Sequence, residues 1–107
     1  MIGLLKNRVI VKKEIKQANG RGGFTINELE IGERWAAILP MTAREIAQYM
    51  QLDRQLDTRL IMRRDPEIDT ACVIYYKDRR YQVDQALDRL DHSGFMDLIT
   101  RGEKING

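Results

Sequence analysis

Ala71-Cys72-Val73-Ile74-Tyr75-Tyr76-Lys77-Asp78-Arg79-Arg80-Tyr81-Gln82-Val83-Asp84-Gln85-Ala86-Leu87 is the stretch on which the fold turns. β-Branched and aromatic residues fill its first part, and apolar and polar residues alternate through its second. The pattern predicts two strands, Ala71 to Tyr76 and Arg80 to Leu87, joined as a hairpin at Lys77-Asp78. The turn lacks the Asn-Gly or Asp-Gly that most strongly marks such a reversal, so the reading rests on the flanks.

Further strand-like runs lie on either side. Thr58 to Arg64 precedes the hairpin across Asp65-Pro66-Glu67, and Phe95 to Thr100 follows it after Asp91-His92-Ser93-Gly94. Near the N-terminus, residues 8–15 place Val9, Val11 and Ile15 on one parity and Arg8 and Lys12 on the other, a strand with one buried face. Residues 33–41 read as the second strand, in which Trp35, Ala37 and Leu39 alternate with Ala36 and Ile38. Pro40 has no amide hydrogen for a ladder and marks the end or edge of that strand. Thr42-Ala43-Arg44-Glu45 then has capping-box spacing, and Ile46, Ala47, Tyr49 and Met50 continue at helical spacing, predicting a helix over 43–52.

Between the first two strands, residues 16–32 contain Asn19-Gly20-Arg21-Gly22-Gly23 within a polar stretch. They read as a long loop, the kind of segment on which binding residues concentrate. The whole is expected to be one mainly β domain over 1–107, a small antiparallel β-barrel or sandwich of about six strands. One short α-helix plugs or flanks an end, and the tail 101–107 is expected to fray.

Composition narrows the function classes. With 107 residues the chain holds one modest core, and no run approaches the apolar length of a membrane span. Met1-Ile2-Gly3-Leu4-Leu5-Lys6 meets charge too early for a secretory signal, and the single cysteine, Cys72, excludes a disulfide framework or a cysteine-built zinc site. Cys72 between Ala71 and Val73 reads as a small hydrophobe, and the single histidine, His92, as a polar turn residue. Gly20-Arg21-Gly22-Gly23 lacks the lysine and following helix of a phosphate loop. No catalytic cluster, metal set or cofactor is expected. Tyr75, Tyr76 and Tyr81 beside Lys77, Arg79 and Arg80 read as cross-strand stabilising pairs or as an aromatic and basic nucleic-acid surface.

The formal net charge of +2 conceals an uneven distribution. Residues 1–23 hold Lys6, Arg8, Lys12, Lys13, Lys16 and Arg21 against Glu14, whereas 24–57 hold three basic residues against Glu28, Glu30, Glu33, Glu45, Asp53 and Asp57. A chain with one basic and one acidic region is suited to nucleic acid or to head-to-tail contact with its own copies.

The order of elements resembles the bacteriophage head-tail joining family, also called head-closure or head-completion proteins. The phrases that carry the likeness are Trp35-Ala36-x-Ile38-x-Pro40 before the capped helix, Thr58-x-Leu60-x-Met62-Arg63 in the third strand, and Tyr76-Lys77-Asp78-Arg79-Arg80-Tyr81-x-Val83 at the hairpin. The likeness runs from Arg8 to about Thr100. The chain departs from the pattern at Asp78, where the family usually has glycine, and at Asn19-Gly20, which is followed by Phe24 where the family commonly has a tryptophan.

What the resemblance implies is a structural virion or prophage protein and not an enzyme. It implies a homo-oligomeric ring, a dodecamer, in the virion neck, formed in the host cytoplasm during assembly. The ring docks on the portal and adaptor proteins, closes the DNA exit channel after packaging and presents a surface to the tail-completion or tail-tube protein. Non-specific contact with packaged DNA is a further expectation, and no membrane contact is expected. On this reading Lys12, Lys13, Lys16 and Arg21 on the basic side and Glu28, Glu30 and Glu33 on the acidic side are the candidate subunit contacts. Trp35, Thr42, Glu45, Tyr76 and Tyr81 are the structural residues, Thr42 and Glu45 fixing the helix and Trp35 packing in the core. The alternatives are a tail-side neck or tail-completion protein, and a small nucleic-acid-binding barrel using Lys12, Lys13, Arg79 and Arg80.

Overall fold

The structure is a computed structural model that describes residues 5–89 and 94–105. Six strands, β1 (Asn7–Ala18), β2 (Phe24–Pro40), β3 (Thr58–Arg63), β4 (Cys72–Tyr76), β5 (Arg79–Asp88) and β6 (Phe95–Lys104), surround one barrel, with the helix α1 (Ala43–Met50) between β2 and β3. Every neighbouring pair is antiparallel and the order β1-β2-β3-β6-β5-β4 closes on itself. Closure removes the unpaired edges that a short open sheet would expose.

The interior is filled by alternate residues of the strands. Val9, Val11, Ala36, Leu60, Met62, Cys72, Ile74, Tyr81, Val83, Met96 and Leu98 form one buried cluster, joined by Ile68. Ile68 belongs to the connection between β3 and β4, which crosses one end of the barrel. Asx turns set that connection: Asp65 accepts from the Glu67 amide and Asp69 from the Ala71 amide, each at 2.9 Å. Cys72 is fully buried among these residues, and burial pushes its thiol above the usual range. The expected His92 turn lies outside the described residues.

Helix α1 flanks the barrel. Ile46 and Tyr49 pack against Met41, Leu56 and Ile99 on the outer surface. Its start is the expected capping box: the Glu45 amide donates to Thr42 Oγ1 at 3.2 Å, and the Thr42 amide donates to Glu45 Oε1 at 3.1 Å. The backbone hydrogen bond from Thr42 is the main reason the Glu45 carboxyl titrates below its ordinary range. The helix ends sooner than the expected residue 52, where Asp53 takes φ of 59° and the Asp53 and Arg54 amides close back on Met50 and Tyr49.

Three expectations are corrected. Residues 16–32 are not a long loop: β1 runs to Ala18 and β2 begins at Phe24, so only Asn19–Gly23 turns. Asn19 Oδ1 accepts from the Arg21 and Gly23 amides at 2.8 and 3.1 Å, and Gly20 and Gly22 take φ of 76° and 81°, the left-handed region in which glycine is unstrained. The tail is ordered through Lys104, because β6 continues along β5 with pairs such as Arg79–Lys104 and Tyr81–Gly102. Trp35 is 50% exposed on the outside of the barrel, and Ala36, 0% exposed, takes the inward position. A small residue is required there because Leu60 and Met62 of the neighbouring strand already fill the space.

Candidate partner interface

The hairpin β1–β2 is longer than the barrel it helps to build. Pairing of β1 with β4 covers Ile10 to Lys13, with one further bond from the Glu14 amide to the Ala71 carbonyl at 2.9 Å. Pairing of β2 with β3 begins only at Ala36. The outer part of the hairpin, Ile15–Ala18 against Phe24–Asn27, is therefore a two-stranded arm whose backbone edges both face outward.

The arm leaves the barrel at a bulge. Val11 pairs with Gly32 and Lys12 with Glu30, leaving Ile31 as the extra residue. Gly32 takes φ of 133°, and a Cβ there would sit 2.8 Å from the Arg34 guanidinium, so glycine suits both the backbone and the space. A bulge bends and twists the ribbon, which turns the arm away from the sheet it left.

Arg80 anchors the base of the arm. Its Nη2 lies 3.0 Å from Glu28 of β2 and 3.4 Å from Glu14 of β1, and its Nη1 lies 3.0 Å from Glu103 of β6. Its Nε donates to the Tyr75 hydroxyl at 3.2 Å, and that hydroxyl also donates to Glu28. Partial burial opposes the charge of Glu28, but hydrogen bonds from Tyr75 and Arg80 outweigh it and hold the carboxyl below its ordinary range. Burial likewise works against the Arg80 cation, and its bonds to Glu28, Tyr75 and Glu103 raise its pKa in spite of it. The cluster ties both strands of the arm to β4, β5 and β6.

Beyond this anchor the arm exposes apolar surface. Phe24 is 61% exposed and Ile26 65%, and Leu29, between the anchor and the bulge, is 56% exposed. Lys16 lies 4.6 Å from the centre of the Phe24 ring, and Asn27 Nδ2 donates to Gln17 across the arm at 2.6 Å. A free two-stranded ribbon is at best marginally stable in water, so this apolar surface is suited to burial against another molecule.

The residues expected to contact a partner are divided by this geometry. Lys16, Arg21 and Glu30 are exposed on the hairpin with no ion pair among the described residues. Lys13 pairs with Asp69 at 3.2 Å, a hydrogen bond that raises its pKa. Glu33 pairs with Arg8 at 3.5 Å, Lys12 lies 4.7 Å from the centre of the Tyr75 ring, and Glu28 belongs to the anchor. The basic and acidic segments noted in the sequence thus lie side by side as the two strands of one hairpin. Tyr81 is buried in the barrel, its ring against Gly102, and Tyr76 packs at the edge of the same core beneath Lys77. Lys77 takes φ of 55° at that turn, so the left-handed position falls before Asp78 and glycine is not needed at Asp78 itself.

Sequence reasoning missed Arg80 as the anchor. Arg80 stood out only as one of a basic group, and its partners come from β1, β2, β4 and β6, which no local spacing connects.

These features define a class: a small closed β-barrel carrying a projecting two-stranded ribbon with exposed apolar side chains. The model of the phage head completion protein family matches residues 1–103, and the chain belongs to that family. It is a structural protein of the phage head. The fold is similar to the solution structure of protein SF1141 from Shigella flexneri 2a, at 15% identity over 94% of each chain and a TM-score of 0.75. It is also similar to a chain of the virion of a native gene transfer agent particle, at 13% identity over 94% of each chain and a TM-score of 0.66. No curated protein matches the sequence significantly.

Proposed function

We propose that this protein is the head-closure component of a phage neck, docking as a ring on the portal and its adaptor after packaging. In that position it closes the DNA exit channel and offers the surface on which the tail attaches. Membership of the head completion family supports the setting. The observation that carries the reading is the arm, in which exposed Phe24 and Ile26 lie beyond a bulge and a charged anchor, with exposed Leu29 at its base. A barrel without such an arm has little with which to grip a neighbour, whereas a repeated contact between different surfaces of one chain generates a ring when its rotation closes. Lys16, Arg21 and Glu30 are the charges left to steer the contact.

Electron microscopy of the protein mixed with portal-adaptor particles tests the proposal. A ring of added density beneath the adaptor is the expected result. Binding to isolated tails with no density on filled heads would replace it with the tail-side role.

A further inference from the structure

Across the outer face of the barrel, cations and aromatic rings alternate on four neighbouring strands. Arg8 of β1 pairs with Trp35 of β2, and its guanidinium lies 5.1 Å from the centre of the indole. The Ala36–Met62 pair places Trp35 and Arg63 one step on, facing outward together. Arg63 of β3 pairs in turn with Phe95 of β6, 5.9 Å from its ring centre. Trp35 is half exposed and borders a surface cavity of about 210 Å³ lined also by Met62, Arg63, Arg64 and Arg34 and by two carboxylates, Glu33 and Asp65, which are ion-paired with Arg8 and Arg34. Arg8 has Glu33 and Arg64 has Asp88, but Arg63 is exposed and has no carboxylate partner among the described residues. An exposed tryptophan flanked by arginines has the composition of an interface hot spot.

The complementary surface is on the same chain. Phe24, Ile26, Glu28 and Glu30 share one face of β2, and of the two acids there Glu30 is the one with no ion pair among the described residues, its cross-strand neighbour Lys12 lying over the Tyr75 ring. That face offers apolar side chains and an unmatched anion, where the Trp35 face offers an apolar ring and an unmatched cation. The two cannot meet within one molecule. Trp35 and Glu30 lie on one continuous strand, held about 16 Å apart by its rise per residue, and the anchor at Arg80 fixes the ribbon between barrel and arm.

We infer that the Trp35–Arg63 face of one copy receives the β1–β2 ribbon of a second copy, with Ile26 of the arm against the indole and Glu30, at the arm's base, toward Arg63. The contact joins two different patches, so each copy gives an arm to one neighbour and takes an arm from the other. This deepens the ring reading above and rests on it.

Charge exchange is the test. Glu30→Arg and Arg63→Glu each place like charges across every contact, and the double variant restores opposite charges at every contact with the order reversed. Both residues are exposed, so the folded barrel is expected to survive, and an unchanged melting transition verifies it. On portal-adaptor particles, each single variant is expected to lower the fraction bearing a ring about tenfold, the scale of a lost charge pair, and the double variant to return it to near the unmodified level. Singles that assemble normally, or a double variant as defective as the singles, would overturn the contact. If the unmodified protein forms no ring on the particles, the ring reading falls by itself. Sedimentation of the free protein then decides the contact: self-association that follows the same exchange supports it, and a monomer throughout overturns it.

Discussion

The barrel and the arm are made from the same two strands but held by different forces. Within the barrel, Val9 and Val11 of β1 and Ala36 of β2 are completely buried, and each strand is paired on both sides. Four residues further along the ribbon, Ile15–Ala18 and Phe24–Asn27 pair only with each other and expose apolar side chains. Hydrophobic burial therefore stabilises the barrel from within, whereas the arm relies on turn geometry and on Arg80 until something covers it. Scaling predicts roughly 6,200 Å² of surface for a chain this size, and the structure exposes 7205 Å². A ribbon standing off a barrel is one source of that excess.

Paired truncations expose the contrast most strongly. Leu60→Ala in the barrel is expected to cost about 2–5 kcal/mol, the range for deleting a buried leucine, whereas Ile26→Ala in the arm stays within about 0.5 kcal/mol. Denaturant unfolding measures both, and equal losses would mean that the arm is packed in the free protein.

Gly102 comes next in size. A Cβ there would lie 2.8 Å from Tyr81 Cε1, and the ring has the barrel core around it. Gly102→Ala is expected to cost about 1–3 kcal/mol as overpacking, seen as a lowered melting temperature that Gly102→Ala/Tyr81→Phe does not recover, because the clash is with the ring and not the hydroxyl.

The anchor between the two regions should give a smaller effect with a distinct signature. Arg80→Ala leaves Glu14, Glu28 and Glu103 without their shared cation. The cost is expected to be about 1–2 kcal/mol after discounting for partial exposure. Hydrogen exchange should rise in the arm amides well before those of β3 and β6.

The same anchor sets a pH dependence. Glu28 is held below its ordinary range when folded, so its contribution is complete above the unfolded value of roughly 4.3 and is lost as pH falls through the lower folded value. Asp65, depressed by Arg34 against the effect of its own burial, has the same sign. Thermal melts below about pH 5 should show falling stability, and Glu28→Gln should flatten that fall while leaving the Asp65 part in place.

Trp35→Ala should disturb the fold least. At 50% exposure it is expected to cost less than about 1 kcal/mol by chemical unfolding, and, on the proposed arm contact, to lower sharply the fraction of portal-adaptor particles that bear a ring. A loss of several kcal/mol would return Trp35 to the core.

Several of these features were legible in the sequence because they depend on neighbours along the chain. The 71–87 hairpin, the Thr42–Glu45 box and the alternation of Val9 and Val11 each follow from spacing of a few residues, and each is present. The arm was not legible as strand, because alternation marks a strand only when one face is buried, and here apolar side chains lie exposed on both faces. Trp35 was assigned to the wrong face for a related reason. Residues of both parities in β2 are apolar, so alternation does not say which parity is buried.

By itself the sequence determined that this chain forms short antiparallel strands around one small core, with a capped helix, and that its charges are segregated. Those are consequences of local periodicity and composition. The tertiary structure decided that the basic and acidic segments are the two strands of one ribbon, that Arg80 gathers carboxylates from three strands, and that Trp35 faces outward beside Arg63. Each of these is a matter of strand register and barrel closure, fixed by which residues fill the interior together and not by any stretch of chain alone.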